Sequence, residues 1–203
     1  MSSRKQDEFW RGDFGENYID RCRDSHIVKS NLNLFTRVLS RVHKIDSVLE
    51  LGCNIGLNLD AMKLLCPDGV EFRGVEINER AAEEAVSKGF EIHVGSICDQ
   101  LDSVSKCDFV FTKGVLIHID PDNLELVYEN LYEKTNRYVM VAEYYSPTPV
   151  QLDYRGNDGY LFKRDFAGDL MDRFAMRLID YGFIYSRDTY FPHDDINWFL
   201  LEK

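Results

Sequence analysis

Between residues 47 and 143 the chain alternates short apolar runs with stretches whose apolar residues recur at helical spacing. The runs at 47–51, 71–76, 90–94, 107–112 and 137–143 predict strands, and 56–66, 79–88 and 121–134 predict helices between them. Pro121 sits where the first turn of the last of these helices accepts it. Ahead of this block, residues 30–43 show helical spacing with Ser30 placed as an N-cap. Behind it, 163–182 reads as one long helix stopped by Gly182. Residues 183–188 and 197–201 read as a closing, hairpin-like strand pair.

Strands that alternate with helices imply a parallel sheet with right-handed crossovers. The final pair lacks a helix between its strands, so one of the two should run antiparallel. The expected fold is α/β: a doubly wound, Rossmann-like sheet of seven strands, mainly parallel, with one antiparallel strand near the C-terminus. Residues 1–28 are polar with interspersed aromatics and read as a helical lid. Residues 144–162, with four tyrosines, two prolines, Arg155 and two glycines, read as a substrate-side loop. It follows a strand end, where α/β enzymes carry specificity loops.

A chain of 203 residues suffices for one domain, and 1–203 is taken as one. No apolar stretch approaches the roughly 18 residues of a membrane span. The first residues carry no apolar secretory core, and five cysteines without a Cys-x-x-Cys pair fit reduced thiols. A cytoplasmic setting away from membranes is expected, as a monomer or a homodimer. The net charge of −11 argues against a nucleic-acid partner, because phosphate backbones are gripped by basic faces. A small molecule is the expected partner.

The chemistry-bearing stretch is Glu50-Leu51-Gly52-Cys53-Asn54-Ile55-Gly56, an apolar strand ending in an acid and a glycine turn. Glu76 and Ile77 end the next strand. Ligands of such sheets bind beyond the carboxyl ends of the strands. An NAD-binding reading competes, since nicotinamide domains also want glycines and a downstream acid. However, a pyrophosphate favours a fuller G-x-G-x-x-G cradle than this turn offers.

The stretch resembles motif I of the class I S-adenosylmethionine-dependent methyltransferases, and the predicted layout resembles theirs. The resemblance implies that Gly52 lets the methionine moiety approach bare backbone and that Gly56 lets the next helix pack on the strand. It implies that Glu76 accepts hydrogen bonds from the ribose hydroxyls, that Ser96 and Ile97 contact adenine, and that Lys113 lines the methyl-transfer pocket. At Asn54 the chain departs from the common glycine; its amide would sit near the cofactor or cap the helix. Cys53 is read as a small residue tolerated in the turn.

A narrower resemblance rests on 9–21, on Gly114-Val115-Leu116-Ile117-His118-Ile119, and on the blocks 144–149, 154–156 and 161–166. These are similar to the methylases associated with pseudaminic acid biosynthesis. The implied acceptor is an anionic sugar, a nonulosonic acid or its nucleotide-activated form, in surface-glycan (polysaccharide) biosynthesis.

Trp10, Phe14 and Tyr18 recur at four-residue intervals on one helical face. They either close a lid over the cofactor or pack on the core. Arg21 either meets the cofactor carboxylate or is a surface charge. Tyr144 and Arg155 are the substrate-side candidates, Arg155 as an anion clamp or a solvated loop residue. An oxygen nucleophile benefits from a general base. His118 is the candidate for its unperturbed pKa near neutrality, with a structural histidine as the alternative. Tyr145 would orient a hydroxyl or face the sulfonium. The histidines show no i, i+4 pair, so no metal is expected, and His193-Asp194-Asp195 reads as a polar turn. The alternatives are a protein that keeps the pocket without catalysis and a methyltransferase acting on another small molecule or on nucleic acid.

Overall fold

The computed structural model describes residues 4–21 and 25–203. Its order is α1 (Lys5–Arg11), α2 (Asp13–Arg21), α3 (Ser25–Leu39), β1 (Ser47–Leu51), α4 (Leu57–Leu65), β2 (Glu71–Glu76), α5 (Glu79–Ser87), β3 (Glu91–Val94) and β4 (Cys107–Lys113). Two 3₁₀ turns, Leu116–His118 and Pro121–Asn123, lead into α6 (Leu124–Glu133) and β5 (Thr135–Glu143). Then come β6 (Val150–Tyr154), β7 (Asn157–Lys163), α7 (Phe166–Phe174), β8 (Arg177–Ile184) and β9 (Ile196–Glu202).

Seven strands form one sheet in the order β3-β2-β1-β4-β5-β9-β8. β1 pairs in parallel with β2 and β4, and β9 inserts antiparallel between β5 and β8. The expected doubly wound, mainly parallel sheet with one antiparallel strand is the sheet found. Both of its faces are covered, so successive residues of a strand feed two cores. Leu49, Leu51, Val110 and Val139 point into one with α6 and α7. Val48, Phe109, Phe111 and Met140 point into the other with α3 and α4. Burial on both faces is why these strands read as unbroken apolar runs.

Three expectations are corrected. The helix expected over 163–182 is three elements. Lys163 ends β7, α7 covers nine residues, and Ala175 turns the chain out of the helix with φ +53°. Asp165 caps α7 by accepting from the Gly168 N–H at 2.8 Å. Gly182 stops no helix; it lies in edge strand β8, where a Cβ would come within 2.7 Å of the Trp198 ring on β9. The edge strand alternates poorly between buried and exposed positions, so its pattern blends with the helix before it. Second, 144–162 is not mainly a loop: 150–163 forms the β6–β7 hairpin. Third, Ser30 does not cap a helix but lies inside α3, fully buried, and its Oγ donates to the Pro192 carbonyl at 2.7 Å.

The lid segment is two short helices meeting at Gly12. Gly15 on α2 is pressed against α1 so closely that a Cβ there would stand 1.8 Å from the Trp10 carbonyl oxygen. Ile19 is fully buried against Ile55, Leu57 and Ala81, which docks α2 on the turn after β1 and on α5. No helix among the described residues is long and apolar enough to cross a membrane.

Candidate active site

A cavity opens at the carboxyl ends of β1, β2, β3 and β4, under the N-terminal helices. Its floor starts at the glycine turn. The Gly52 and Cys53 N–H groups both donate to the Val75 carbonyl, at 2.8 and 3.1 Å. Gly52 adopts φ +83°, and a Cβ there would meet Val115 at 2.7 Å. Only glycine combines that backbone with that contact. Gly56, at φ +77°, faces the Phe90 ring rather than the cavity. Asn54 holds the left-handed conformation at φ +47°, which asparagine tolerates better than other side chains. Its Oδ1 accepts from the Ile55 N–H at 2.6 Å, while Gly56 is the residue at the helix N-terminus.

Glu76 ties this turn to β2. One carboxylate oxygen accepts from the Asn54 N–H at 2.7 Å and the other from the Asn78 N–H at 2.8 Å. Burial raises its pKa. Asn78 caps α5 and donates through Nδ2 to the Trp10 carbonyl at 3.2 Å, linking the strand end to the lid. Glu50 is fully buried beneath the turn. Its Oε1 accepts from Asn58 Nδ2 at 2.5 Å, and its Oε2 has no partner. Burial pushes its pKa up to about 8. Burial, helped by Glu76 and Glu50, likewise keeps the Cys53 thiol protonated.

Beyond β3, Ser96 and Ile97 line the cavity. The Ser96 hydroxyl donates to Asp7 of α1 at 3.1 Å. Arg4 holds Asp7 at 3.0 Å and Asp99 at 2.9 Å. Asn130 of α6 donates to the Ile97 and Asp99 carbonyls at 2.9 and 2.8 Å, fixing the loop from the other side.

Lys113, Gly114, Val115 and His118 continue the wall past β4. The turn that carries His118 is held by Glu143, whose carboxylate accepts from the Val115, Leu116 and Ile117 N–H groups at 3.1, 3.1 and 3.4 Å. Burial raises Glu143 to about 7. His118 Nδ1 lies 2.7 Å from the Tyr160 carbonyl. A carbonyl only accepts, so the proton sits on Nδ1 and Nε2 carries the lone pair. The ring packs between Trp10 and Tyr154, with centroids at 4.9 and 4.6 Å. Burial lowers its pKa to about 4, so the expectation of a histidine titrating near neutrality is corrected.

Of the lid aromatics, Trp10 and Tyr18 line the cavity. Phe14 stacks on Phe9 at 4.0 Å instead. Arg21 lays its guanidinium over the Phe14 and Tyr18 rings, at 5.1 and 5.3 Å, on the outside of the lid. Arg155 is exposed at the turn of the β6–β7 hairpin with φ +52°, and Tyr145 is exposed beside Phe199. Neither reaches the cavity wall. Tyr144 is half-buried, with Lys163 over its ring at 5.1 Å, and burial beside Asp194 pushes its phenol up.

Most strand-end and turn candidates thus converge on the cavity, while Glu50 and Gly56 lie behind its wall and Tyr144, Tyr145 and Arg155 do not line it. Reading by motif passed over Asp7, Asn31, Asn58, His193 and Asp194, all of which line the cavity. They come from helix interiors and from the loop before β9, and only tertiary packing brings them together. The one available signal was polarity at helical positions where an apolar residue would otherwise face the core.

The same architecture occurs in solved structures over the full length of the chain. Magnesium protoporphyrin IX methyltransferase from Synechocystis PCC 6803, solved with S-adenosylmethionine bound, superposes with a TM-score of 0.69 at 12% identity, covering 100% of this chain and 99% of that one. A Leishmania major S-adenosylmethionine-dependent methyltransferase superposes with a TM-score of 0.72 at 14% identity, covering 98% and 82%. One from Archaeoglobus fulgidus gives 0.69 at 15% identity, covering 94% and 100%. This chain has the S-adenosylmethionine-dependent methyltransferase fold. In sequence, no family model and no curated protein matches it.

Proposed function

We propose that this protein is an S-adenosylmethionine-dependent methyltransferase acting on an oxygen or nitrogen of a small anionic metabolite, with a nonulosonic sugar or its nucleotide-activated form as acceptor. The observation that carries the cofactor is the set of groups gathered around the glycine turn. Glu76 stands at the end of β2 with its carboxylate lining the cavity. Asn58 lines the cavity, and its Oδ1 is a buried acceptor without a partner, suited to an ammonium group. Ser96, Ile97 and Asp7 offer an apolar wall with polar atoms beside it, suited to a purine. A pyrophosphate finds no comparable set here, which disfavours a nicotinamide dinucleotide.

Bound there, S-adenosylmethionine supplies a sulfonium methyl group to the nucleophile and leaves as S-adenosylhomocysteine. The chain's part is positioning and proton handling. Trp10 and Tyr18 cover the cavity and exclude water. His118 presents the Nε2 lone pair, fixed in that tautomer by Tyr160, to accept the acceptor's proton. Its low pKa weakens it as a base but keeps it unprotonated at any working pH above about 4. Glu143 sets the turn that aims it. The sugar acceptor rests on the resemblance of 9–21, 114–119 and 144–166 to methylases associated with pseudaminic acid biosynthesis.

The test is incubation with S-adenosylmethionine and a panel of nonulosonic acids and their nucleotide conjugates, read by mass spectrometry. Stoichiometric S-adenosylhomocysteine with one acceptor gaining a methyl group is the expected result. Cofactor binding without a methylated product from any sugar would overturn the acceptor assignment.

A further inference from the structure

The cavity continues past the motif-derived residues. In the sheet order, β1, β2 and β3 lie to one side of β4, and their ends carry Gly52, Glu76, Ser96 and Ile97. Besides Lys113 of β4 and the turn that follows it, the wall takes in Asn31 of α3 and His193 and Asp194 from the loop between β8 and β9. A deliberate contact joins these last two elements: the buried Ser30 Oγ donates to the Pro192 carbonyl at 2.7 Å. The neighbours of those two residues, Asn31 and His193, are thereby placed together at the same end of the cavity.

Both are left with unanswered polar atoms. Asn31 has no exposed surface, and neither its Nδ2 nor its Oδ1 has a partner. His193 Nδ1 accepts from the Asp194 N–H at 2.8 Å. The neutral ring therefore carries its proton on Nε2, and that N–H is buried without an acceptor. Burial, with Lys113 nearby, keeps this ring neutral far below physiological pH, so the tautomer is stable. Buried donors of this kind are normally paired, by the protein or by a ligand. Two N–H donors from separate elements, with a lysine lining the same wall, match the two oxygens of one carboxylate. Asn31 Oδ1 adds an acceptor for a hydroxyl next to it.

We infer that Asn31, His193 and Lys113 form the acceptor subsite and take the carboxylate of a hydroxy-acid acceptor. This assignment rests on the methyltransferase reading and gives the substrate class of its site. It moves substrate recognition from the β6–β7 hairpin to α3 and the β8–β9 loop.

The experiment is calorimetric titration of the S-adenosylhomocysteine-loaded protein with N-acetylneuraminate and with its methyl ester, for wild type, Asn31→Ala and His193→Gln. Binding of the acid, at least tenfold weaker binding of the ester, and a tenfold loss for the acid in each variant are expected. S-adenosylhomocysteine affinity should stay within twofold in both variants, which also reports that they fold. Equal binding of acid and ester, or no binding of either, would overturn the inference. So would a tenfold loss of S-adenosylhomocysteine in the variants with 5′-methylthioadenosine unaffected, since the polar end would then serve the cofactor's amino-acid moiety. Failure of wild type to bind S-adenosylhomocysteine at all would instead sink the methyltransferase reading.

Discussion

At the scale of the residue, the site is governed by burial. His118 was legible in the sequence as a histidine after the fourth strand, but its basicity was not. Its pKa depends on the Trp10 and Tyr154 rings that enclose it, and these come from segments distant in the chain. With a folded pKa of about 4, the pH profile of turnover should be flat through 6.5; a limb near 6.5 assigned to His118 would contradict the tautomer argument. His118→Ala should slow turnover about 10²-fold while leaving S-adenosylhomocysteine affinity within twofold. Glu50 shows the opposite titration. Its folded pKa of about 8 lies above the model-peptide value, so between the two the folded state holds a proton that the unfolded chain releases. Stability is therefore lost as pH rises through that window, by up to about 3–5 kcal/mol. Glu50→Gln removes the titration, so its ligand-free melting temperature should exceed that of wild type at pH 8.5 and approach it near pH 4.5. Equal melting curves at both pH values would show that Glu50 ionises freely in the fold.

At the scale of the element, the strands buried on both faces were the readable part. β1, β2, β4 and β5 announce themselves because each residue pays the same hydrophobic toll whichever face it meets. The hairpin and edge strand were hidden for the complementary reason. β6 is largely exposed and β8 mixes exposed and buried positions, so neither imposes a period-two pattern, and their identity comes from pairing rather than from propensity. The lid was legible as aromatics at four-residue spacing, but not as two helices, since the break at Gly12 changes which rings share a face. The contact of Gly15 with the Trp10 carbonyl makes the lid testable as an element. Gly15→Ala forces α1 away from α2 and should weaken S-adenosylhomocysteine binding at least tenfold. The fold should survive, because the sheet and its two cores do not depend on α1. Unchanged affinity would mean that Trp10 does not cover the ligand.

At the scale of the whole molecule, the strand order accounts for where chemistry is placed. Reversal of the winding between β1 and β4 opens a crevice at the strand ends, and motif reading found the side of it built from strand ends and turns. The opposite wall is assembled from α3 and the β8–β9 loop, about 160 residues apart in sequence, and no local pattern predicts that meeting. The central claim is that the crevice holds S-adenosylmethionine. Thermal unfolding with saturating S-adenosylmethionine, S-adenosylhomocysteine or NAD tests it directly, because a ligand that binds only the folded state raises the melting temperature by mass action. A rise with both sulfur compounds and none with NAD is the predicted result; a rise with NAD alone, or with none of the three, would contradict the account.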